Sequence, residues 1–491
     1  MRLAERVAVN AAAQLIGQLV LAAGGLVAVA VTARYLGVRD YGALVTALIY
    51  VSLFVIATDF GLATIGAREI AKREEERQTI LSSLGRLVAL VSAVAAALAG
   101  GLSFLLYPGA GGEETRAAIF ILLPQFLVAA PKAVAQAHLM ARQQIYLSAL
   151  AGVVARVVTL GMVFAVAAAG LGFRWMAATY TAFPLLSTAL IYSFAQPRVG
   201  LWRTWDRVVA SAIFRAALPL AAVIVVNYLY FRLDLLLLSV LATRVDVARY
   251  GVSYKVIETL ILIPSFVMTT LLPDVARAAP FSERLNGLVQ NAFSAMQLLA
   301  LPLVALSFFS GEILRFIAGA AYTPAALTLQ LLMIGVAISF LQQVFGFTLV
   351  AQNRQLQALY VLVGVLMLNL ALNLVLIPLF AINGAAVALV ISETASFFGT
   401  VAVYARVGRV PHAYLPLRTV TAAAAMAAIV LAARSILPEL VPSPVVTLAI
   451  GGALGGVAYV LVLRQLHAVP PAVNSAAAGL LRRHGLRASH S

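Results

Sequence analysis

The chain has 491 residues, 63% of them hydrophobic and 11% charged, with a formal net charge of +16. A soluble domain carries about a quarter charged residues to face water, so this composition, with a mean hydropathy of +1.00, excludes a soluble globular enzyme. Cysteine is absent, which excludes disulfides, thiolate metal centres and a cysteine nucleophile.

Apolar runs recur along the chain, each of about twenty residues, the length a helix needs to cross about 30 Å of hydrocarbon. They predict spans near 7–33, 42–65, 80–107, 117–138, 147–170, 175–195, 214–241, 250–272, 286–309, 324–350, 357–379, 383–405, 418–437 and 444–464, fourteen in all. The first run is too long for the apolar region of a cleavable leader and contains Asn10, Gln14 and Gln18. Pro124, Pro184, Pro219, Pro264 and Pro302 fall inside spans and predict kinks, which neighbouring helices can satisfy. The glycine-rich GAGG at 109–112 is not followed by Lys-Ser/Thr, so it is no phosphate-cradling nucleotide loop. The five histidines are scattered without metal-ligand spacing. No catalytic residue, metal or cofactor is expected.

Loop lysines and arginines set the orientation. Twenty-two lie on one side, including Arg68, Lys72, Arg73, Arg77, Arg203, Arg207 and Arg482, and eight on the other, among them Arg39, Arg116, Arg244 and Arg315. Both termini are therefore expected in the cytoplasm, and the positive charge reflects this bias rather than nucleic-acid binding.

The short polar stretch TARYLGVRDYGALVTAL (32–48) joins the first two spans, with Gly37 and Gly42 expected to free the backbone and Tyr35 and Tyr41 to sit at the interface. It recurs: Tyr41 and Gly42 are matched 209 residues later by Tyr250 and Gly251, Arg68 by Arg277, and Gln18 by Asn227. Leu139 and Ala141 match Leu349 and Ala351, and Tyr192 matches Tyr404, at nearly the same offset. Ordered matches of this kind predict an all-α polytopic membrane protein of two six-helix lobes related by pseudo-two-fold symmetry. The lobes are 1–195 and 214–405, joined by a cytoplasmic linker 196–213 in which Trp202 and Trp205 suit a membrane surface. An appended helix pair (418–464) and a basic cytoplasmic tail (465–491) follow.

Eight ionisable residues fall within spans: Asp59, Lys132, Arg156, Arg232, Asp234, Lys255, Glu258 and Glu393. Each costs about 2.5–3.5 kcal/mol at a helix centre by insertion scales, so they should face a wet cavity or one another. Arg232 suits an anion because guanidinium holds phosphate oxygens through two parallel hydrogen bonds; the competing reading pairs it with Asp234. Arg156 and Lys132 are further basic groups on a substrate path. Lys255 and Glu258, three apart on one helix, read first as an ion pair. With Asp59, Asp234 and Glu393 they are also the ionisable groups that could couple transport to an ion. Arg6, Asn10, Gln14 and Gln18 recur every four residues on one face of the first span. They line a cavity from the cytoplasmic end or bond to a neighbouring helix. Asn227 would be the counterpart of Gln18, and Asn369 and Asn373 form a shorter pair of the same kind.

TARYLGVRDYG and DFGLATIGAREIAK in the first half resemble the N-terminal pattern of polysaccharide-transporter (Wzx-type) flippases. RLDLLLLSVLATRVDVARYGVSYKVIE, EILRFIAGAAYTPAALTLQLL and INGAAVALVISE in the second half are similar to the same family, within the multidrug/oligosaccharidyl-lipid/polysaccharide exporter superfamily. The resemblance covers roughly residues 1 to 405. It implies two lobes forming a V around a central cavity. It also implies passage of a polyprenyl-diphosphate-linked oligosaccharide from the inner to the outer leaflet by alternating access. The implied partners are the bilayer, the lipid-linked glycan, and the polymerase and glycosyltransferases of the same pathway. The arginine-rich N-terminal pattern of the lipid II flippase branch is not evident, which argues against a peptidoglycan precursor. A multidrug or metabolite antiporter of the same superfamily is the alternative. A membrane glycosyltransferase, polymerase or ligase ranks last, since no outer loop is long enough to carry an acidic catalytic cluster.

The absence of native cysteine makes the orientation testable by labelling. A Gly111→Cys protein should react with a membrane-impermeant thiol reagent applied to intact cells, and a Glu75→Cys protein should not. The reverse pattern would invert the orientation.

Overall fold

A computed structural model describes residues 3–195, 204–411, 417–440 and 443–466, without the side chains of 3–13, 15, 110, 417 and 438–440. Among the described residues there is no strand. The helices are α1 (Leu3–Asp59), α2 (Leu62–Lys72), α3 (Arg77–Leu106), α4 (Glu113–Leu122), α5 (Ala129–Ala141), α6 (Tyr146–Ala168), α7 (Phe173–Ala195), α8 (Arg207–Leu241) and α9 (Arg244–Leu260). They continue as α10 (Leu262–Arg277), α11 (Glu283–Leu306), α12 (Ser310–Ala318), α13 (Ala326–Ala351), α14 (Gln355–Tyr404), α15 (Leu417–Leu440) and α16 (Pro444–Gln465). The chain divides into two compact units, Met1–Val252 and Ser253–Ser491.

Among the described residues eleven stretches are long and apolar enough to cross a membrane, where the sequence predicts fourteen. The difference has physical causes. With 57 residues, α1 would be about 85 Å long at about 1.5 Å per residue, but it bends at Gly37, whose φ of 73° and ψ of 175° are not helical. The 50-residue α14 bends likewise at Ala381, at φ 47° and ψ −126°. These breaks fall between the predicted spans 7–33 and 42–65 and between 357–379 and 383–405, so each pair appears as a single stretch although two helical segments meet at the break. The expected span 250–272 is divided between α9 and α10. Helix α7 is not among the eleven: Thr179, Thr181, Ser187 and Thr188 lower its hydropathy, and all four are buried within the protein. Pro184, Pro219 and Pro302 lie inside α7, α8 and α11. Pro124 instead opens a 3-10 segment, Leu123–Val128, and Pro264 falls in the first turn of α10.

Of the expected linker, residues 196–203, Trp202 included, lie outside the described residues, as does the tail beyond 466. Where description resumes, Arg86 lies 5.9 Å from the ring centre of the exposed Trp205. Asp206 then caps α8, its carboxylate accepting from the backbone N–H of Val208 and Val209 at 2.7 and 3.2 Å.

In the first unit, one core joins α2, α3, α5 and α8 through Leu62, Ile65, Ile80, Leu84, Val134 and Ile213. A second joins α1, α3, α4 and α7 through Leu44, Tyr50, Ala99, Ile119, Phe126 and Ala177. The recurring polar stretches meet inside this unit. A Cβ at Gly42 would fall on the carbonyl oxygen of Arg244, and one at Gly251 would come within 2.9 Å of Val45 Cγ1. Gly42 therefore serves close approach and not turn freedom, which Gly37 supplies. Tyr41 is 3% exposed, so its ring packs against protein. In the second unit, α15 and α16 pack on the end of α11 through Phe309, Met426, Val430, Tyr459 and Leu463, and the Tyr459 hydroxyl donates to the Leu298 carbonyl at 3.1 Å.

Replacing Gly42 tests the contact between the two stretches. Gly42→Ala should destabilise the protein by about 1–3 kcal/mol through overpacking and lower its melting temperature in detergent. Gly101→Ala, where a Cβ meets nothing within 4 Å, should leave melting unchanged or raise it. Equal melting of the two variants would refute the close approach.

Candidate functional site

The first unit contains an open cavity of about 390 Å³. Its wall combines Ser52 and Asp59 of α1, Thr64 of α2, Gln125 of the 3-10 segment, Lys132 and Gln136 of α5, Thr188 of α7 and Tyr228 of α8. Each element reaches the wall for a local reason. Phe60 and Gly61 adopt positive φ, at 39° and 75°, so α1 stops at the cavity and α2 starts in a new direction. Pro124, lacking an N–H, favours the tighter 3-10 path that carries Gln125. Lys132 and Gln136 are four residues apart, hence on one face of α5.

The wall is polar at several points. Tyr228 donates its hydroxyl to Ser52 Oγ at 2.5 Å, and Ser52 donates to the Ile49 carbonyl at 2.7 Å. Thr188 is 2% exposed, and its Oγ1 has no hydrogen-bond partner among the described residues. No carboxylate lies within ion-pair distance of Lys132 among the described residues, although Asp59 lines the same cavity. The arrangement presents an ammonium group, two amides and several hydroxyls to one volume. It suits a polyhydroxylated or anionic ligand, and about 300–1,000 Å³ is usual for a small-molecule site.

Two of the charges expected from the sequence, Asp59 and Lys132, are thus brought together. The others are not in this wall. Arg156 lies in α6 with its guanidinium carbon 4.1 Å from the ring centre of Phe183, a cation–π contact inside the helix packing. Gly24 of α1 makes room for its stem, since a Cβ there would come within 2.7 Å of Arg156 Cγ. Its Nε is buried without a hydrogen-bond partner. Beside it, the Tyr180 hydroxyl donates to Thr32 Oγ1 at 3.1 Å. Arg232 is half-buried and engaged with neighbours. Asp234 is 2% exposed and accepts the Tyr250 hydroxyl at 3.0 Å.

On α1, the side chains of Arg6 and Asn10 lie outside the described residues, Gln14 is half-buried and Gln18 is exposed. Asn227 is exposed on α8 and takes no part in the cavity wall. In the second unit, Lys255 and Glu258 form an ion pair at 2.9 Å, and Glu393 is buried in α14. Asn369 and Asn373 take no part in this wall. Both are fully buried, with Asn373 donating to Asn369 Oδ1 at 2.9 Å and Asn369 to Ser392 Oγ at 3.2 Å. Sequence reasoning missed Gln125, Gln136, Thr188 and Tyr228. The Lys132–Gln136 spacing within an apolar run was the signal that could have found one of them.

The chain was compared with known proteins. The sequence pattern of the family described as "Polysaccharide biosynthesis protein" matches residues 31–327, more than half of the chain. A probable low-salt glycan biosynthesis flippase of Haloferax volcanii is 28% identical over 169 residues, which are 34% of this chain and 36% of that protein. The alignment therefore spans only about a third of that relative's length. Among solved structures, the lipid II flippase MurJ in an inward closed conformation superposes with a TM-score of 0.74 at 15% identity, covering 92% of this chain and 98% of that one. An inward-facing multidrug resistance transporter of the MATE family, in the MOP superfamily, gives 0.64 at 14% identity, covering 78% and 94%. These likenesses establish a shared fold. With the polar cavity, the helical architecture and the long sequence match taken together, the chain belongs to the polysaccharide biosynthesis protein family.

Proposed function

We propose that the protein is a flippase, moving a polyprenyl-diphosphate-linked oligosaccharide from the inner to the outer leaflet of a cell membrane by alternating access. Family membership supports glycan biosynthesis as the setting, and the related flippase and transporter folds support transport without nucleotide hydrolysis. The observation that carries the reading is Lys132, a cation in a polar cavity with no carboxylate partner among the described residues.

The physical argument concerns desolvation. A diphosphate leaving water loses strong hydration, and in a medium of low dielectric this costs far more than the membrane can return. A fixed ammonium in the cavity offsets part of that loss through a charge-assisted hydrogen bond. Gln125, Gln136, Ser52 and Thr188 offer donors and acceptors of the kind that sugar hydroxyls require. On this reading both termini face the cytoplasm, and the polymerase and glycosyltransferases of the same pathway are partners. The second reading, a multidrug or metabolite antiporter, draws on Asp59 in the same wall, which suits a cationic drug and its exchange for a proton.

Reconstituted vesicles separate the two. Flipping of a fluorescent lipid-linked oligosaccharide should slow about 10- to 100-fold in Lys132→Ala, the range of a lost charged hydrogen bond. Lys132→Arg should retain most of the rate and Asp59→Asn should change it little. Wild-type flipping by a well-folded Lys132→Ala protein would reject the role of Lys132. Efflux of a cationic dye that Asp59→Asn abolishes, without any glycan flipping, would favour the antiporter.

A further inference from the structure

The second unit contains a pocket, lined in part by charged and hydroxyl side chains, that the proposed transport does not use. It has a volume of about 330 Å³ and is walled by Glu312 and Arg315 of α12, Thr323, Arg434 of α15, and Ser443 and Thr447 at the start of α16. Glu312 and Arg315 stand three residues apart, a spacing at which opposite charges on one helix ordinarily pair. Here the carboxylate is taken by another helix. Arg434 Nε lies 3.2 Å from Glu312 Oε1, and Arg434 Nη1 donates to the Phe308 carbonyl at 3.0 Å. Arg315 is left exposed, with no carboxylate within ion-pair distance among the described residues. The pocket therefore holds two guanidinium groups against one carboxylate.

The start of α16 adds donors of a second kind. Ser443 is extended, at φ −120° and ψ 117°, its side chain makes no capping bond, and Pro444 opens the helix. The first intrahelical bond runs from the Thr447 N–H to the Ser443 carbonyl at 3.1 Å. The Thr447 hydroxyl donates to the same carbonyl at 3.2 Å, and the Ser443 side chain lines the pocket. Planar guanidinium groups match phosphate oxygens better than any neutral ligand.

What surrounds the pocket selects the source of the phosphate. Large apolar side chains follow closely on its wall residues in sequence and are exposed: Phe316 at 47%, Leu327 at 52%, Ile436 at 56% and Val445 at 49%. A free phosphate ion has no use for that surface, whereas acyl chains attached to a phosphate do. We infer that this pocket binds the phosphate of a membrane phospholipid, held by Arg315 with Arg434 behind it, at the turn end of the α15–α16 hairpin.

The test uses the full chain in detergent, titrated with phosphatidylglycerol and read by native mass spectrometry. Diacylglycerol serves as the phosphate-free control and inorganic phosphate as competitor. Phosphatidylglycerol should bind and diacylglycerol should not. Arg315→Gln should weaken binding about tenfold or more, the effect of one charged hydrogen bond, and Arg315→Lys should recover part of it. Arg315 has no ion pair to lose, so its substitution should leave the melting temperature unchanged; Arg434→Gln, which strands Glu312, is the less suitable variant. Unaltered phosphatidylglycerol binding by Arg315→Gln would overturn the site. Displacement of the lipid by an equal concentration of inorganic phosphate would overturn the lipid as its ligand.

Discussion

Hydrocarbon offers no hydrogen-bond partner, so a chain that crosses it must satisfy its backbone within each segment. That constraint accounts for the helical architecture and decides where the helices can be interrupted. Among the described breaks, Gly37 and Ala381 interrupt the two longest stretches, α9 gives way to α10 after Leu260, Pro124 opens a 3-10 segment, and Phe60 and Gly61 end α1. The last two of these border the one volume that combines Lys132 with amides and hydroxyls. Irregular backbone and polar lining occur together because each needs the other: freed carbonyls and amides require partners, and a cavity supplies them.

The polar residues inside the spans divide into two groups by the same reasoning. Some are consumed internally. Asp234 accepts from Tyr250, Lys255 pairs with Glu258, and Asn369, Asn373 and Ser392 bond in sequence. Such contacts lie within α9 or α14 or, as for Asp234 and Tyr250, join α8 to α9, and they leave little capacity for a ligand. Others face the cavity with their capacity unspent, Lys132 and Thr188 most clearly. Arg156 belongs to neither group, since the face of Phe183 stabilises its charge without an acceptor.

Much of the fold was legible in the sequence because membrane helices announce themselves by length and hydropathy, and the recurrence of Tyr41–Gly42 at Tyr250–Gly251 located a real contact. The burial of Tyr41 was not legible: a tyrosine beside arginines at a helix end reads as interfacial until its neighbours are known. The backbone breaks at Gly37 and Ala381 fall in the gaps that the sequence leaves between spans 7–33 and 42–65 and between 357–379 and 383–405. Within the site, Asp59 and Lys132 were visible as charges in apolar runs, but nothing in their spacing says that residues so far apart share a wall. The uncharged lining residues carried still less signal. Gln125 and Thr188 resemble the helix-joining polar residues until a cavity distinguishes them.

The end of α1 has an electrostatic consequence. Its last carbonyl groups point along the helix axis beyond the final turn, and the left-handed pair Phe60–Gly61 prevents the next helix from taking them all up. A helix carboxyl end carries the equivalent of about half a negative charge. Where α1 stops, its negative pole meets the positive pole at the start of α2, so the negative charge in the wall is chiefly that of Asp59. Lys132 reaches the same volume from α5, so the field across the cavity is graded rather than uniform. A ligand with one anionic end and one neutral, hydroxyl-bearing end would be aligned by that gradient, its charged end toward Lys132 and its neutral end toward α1.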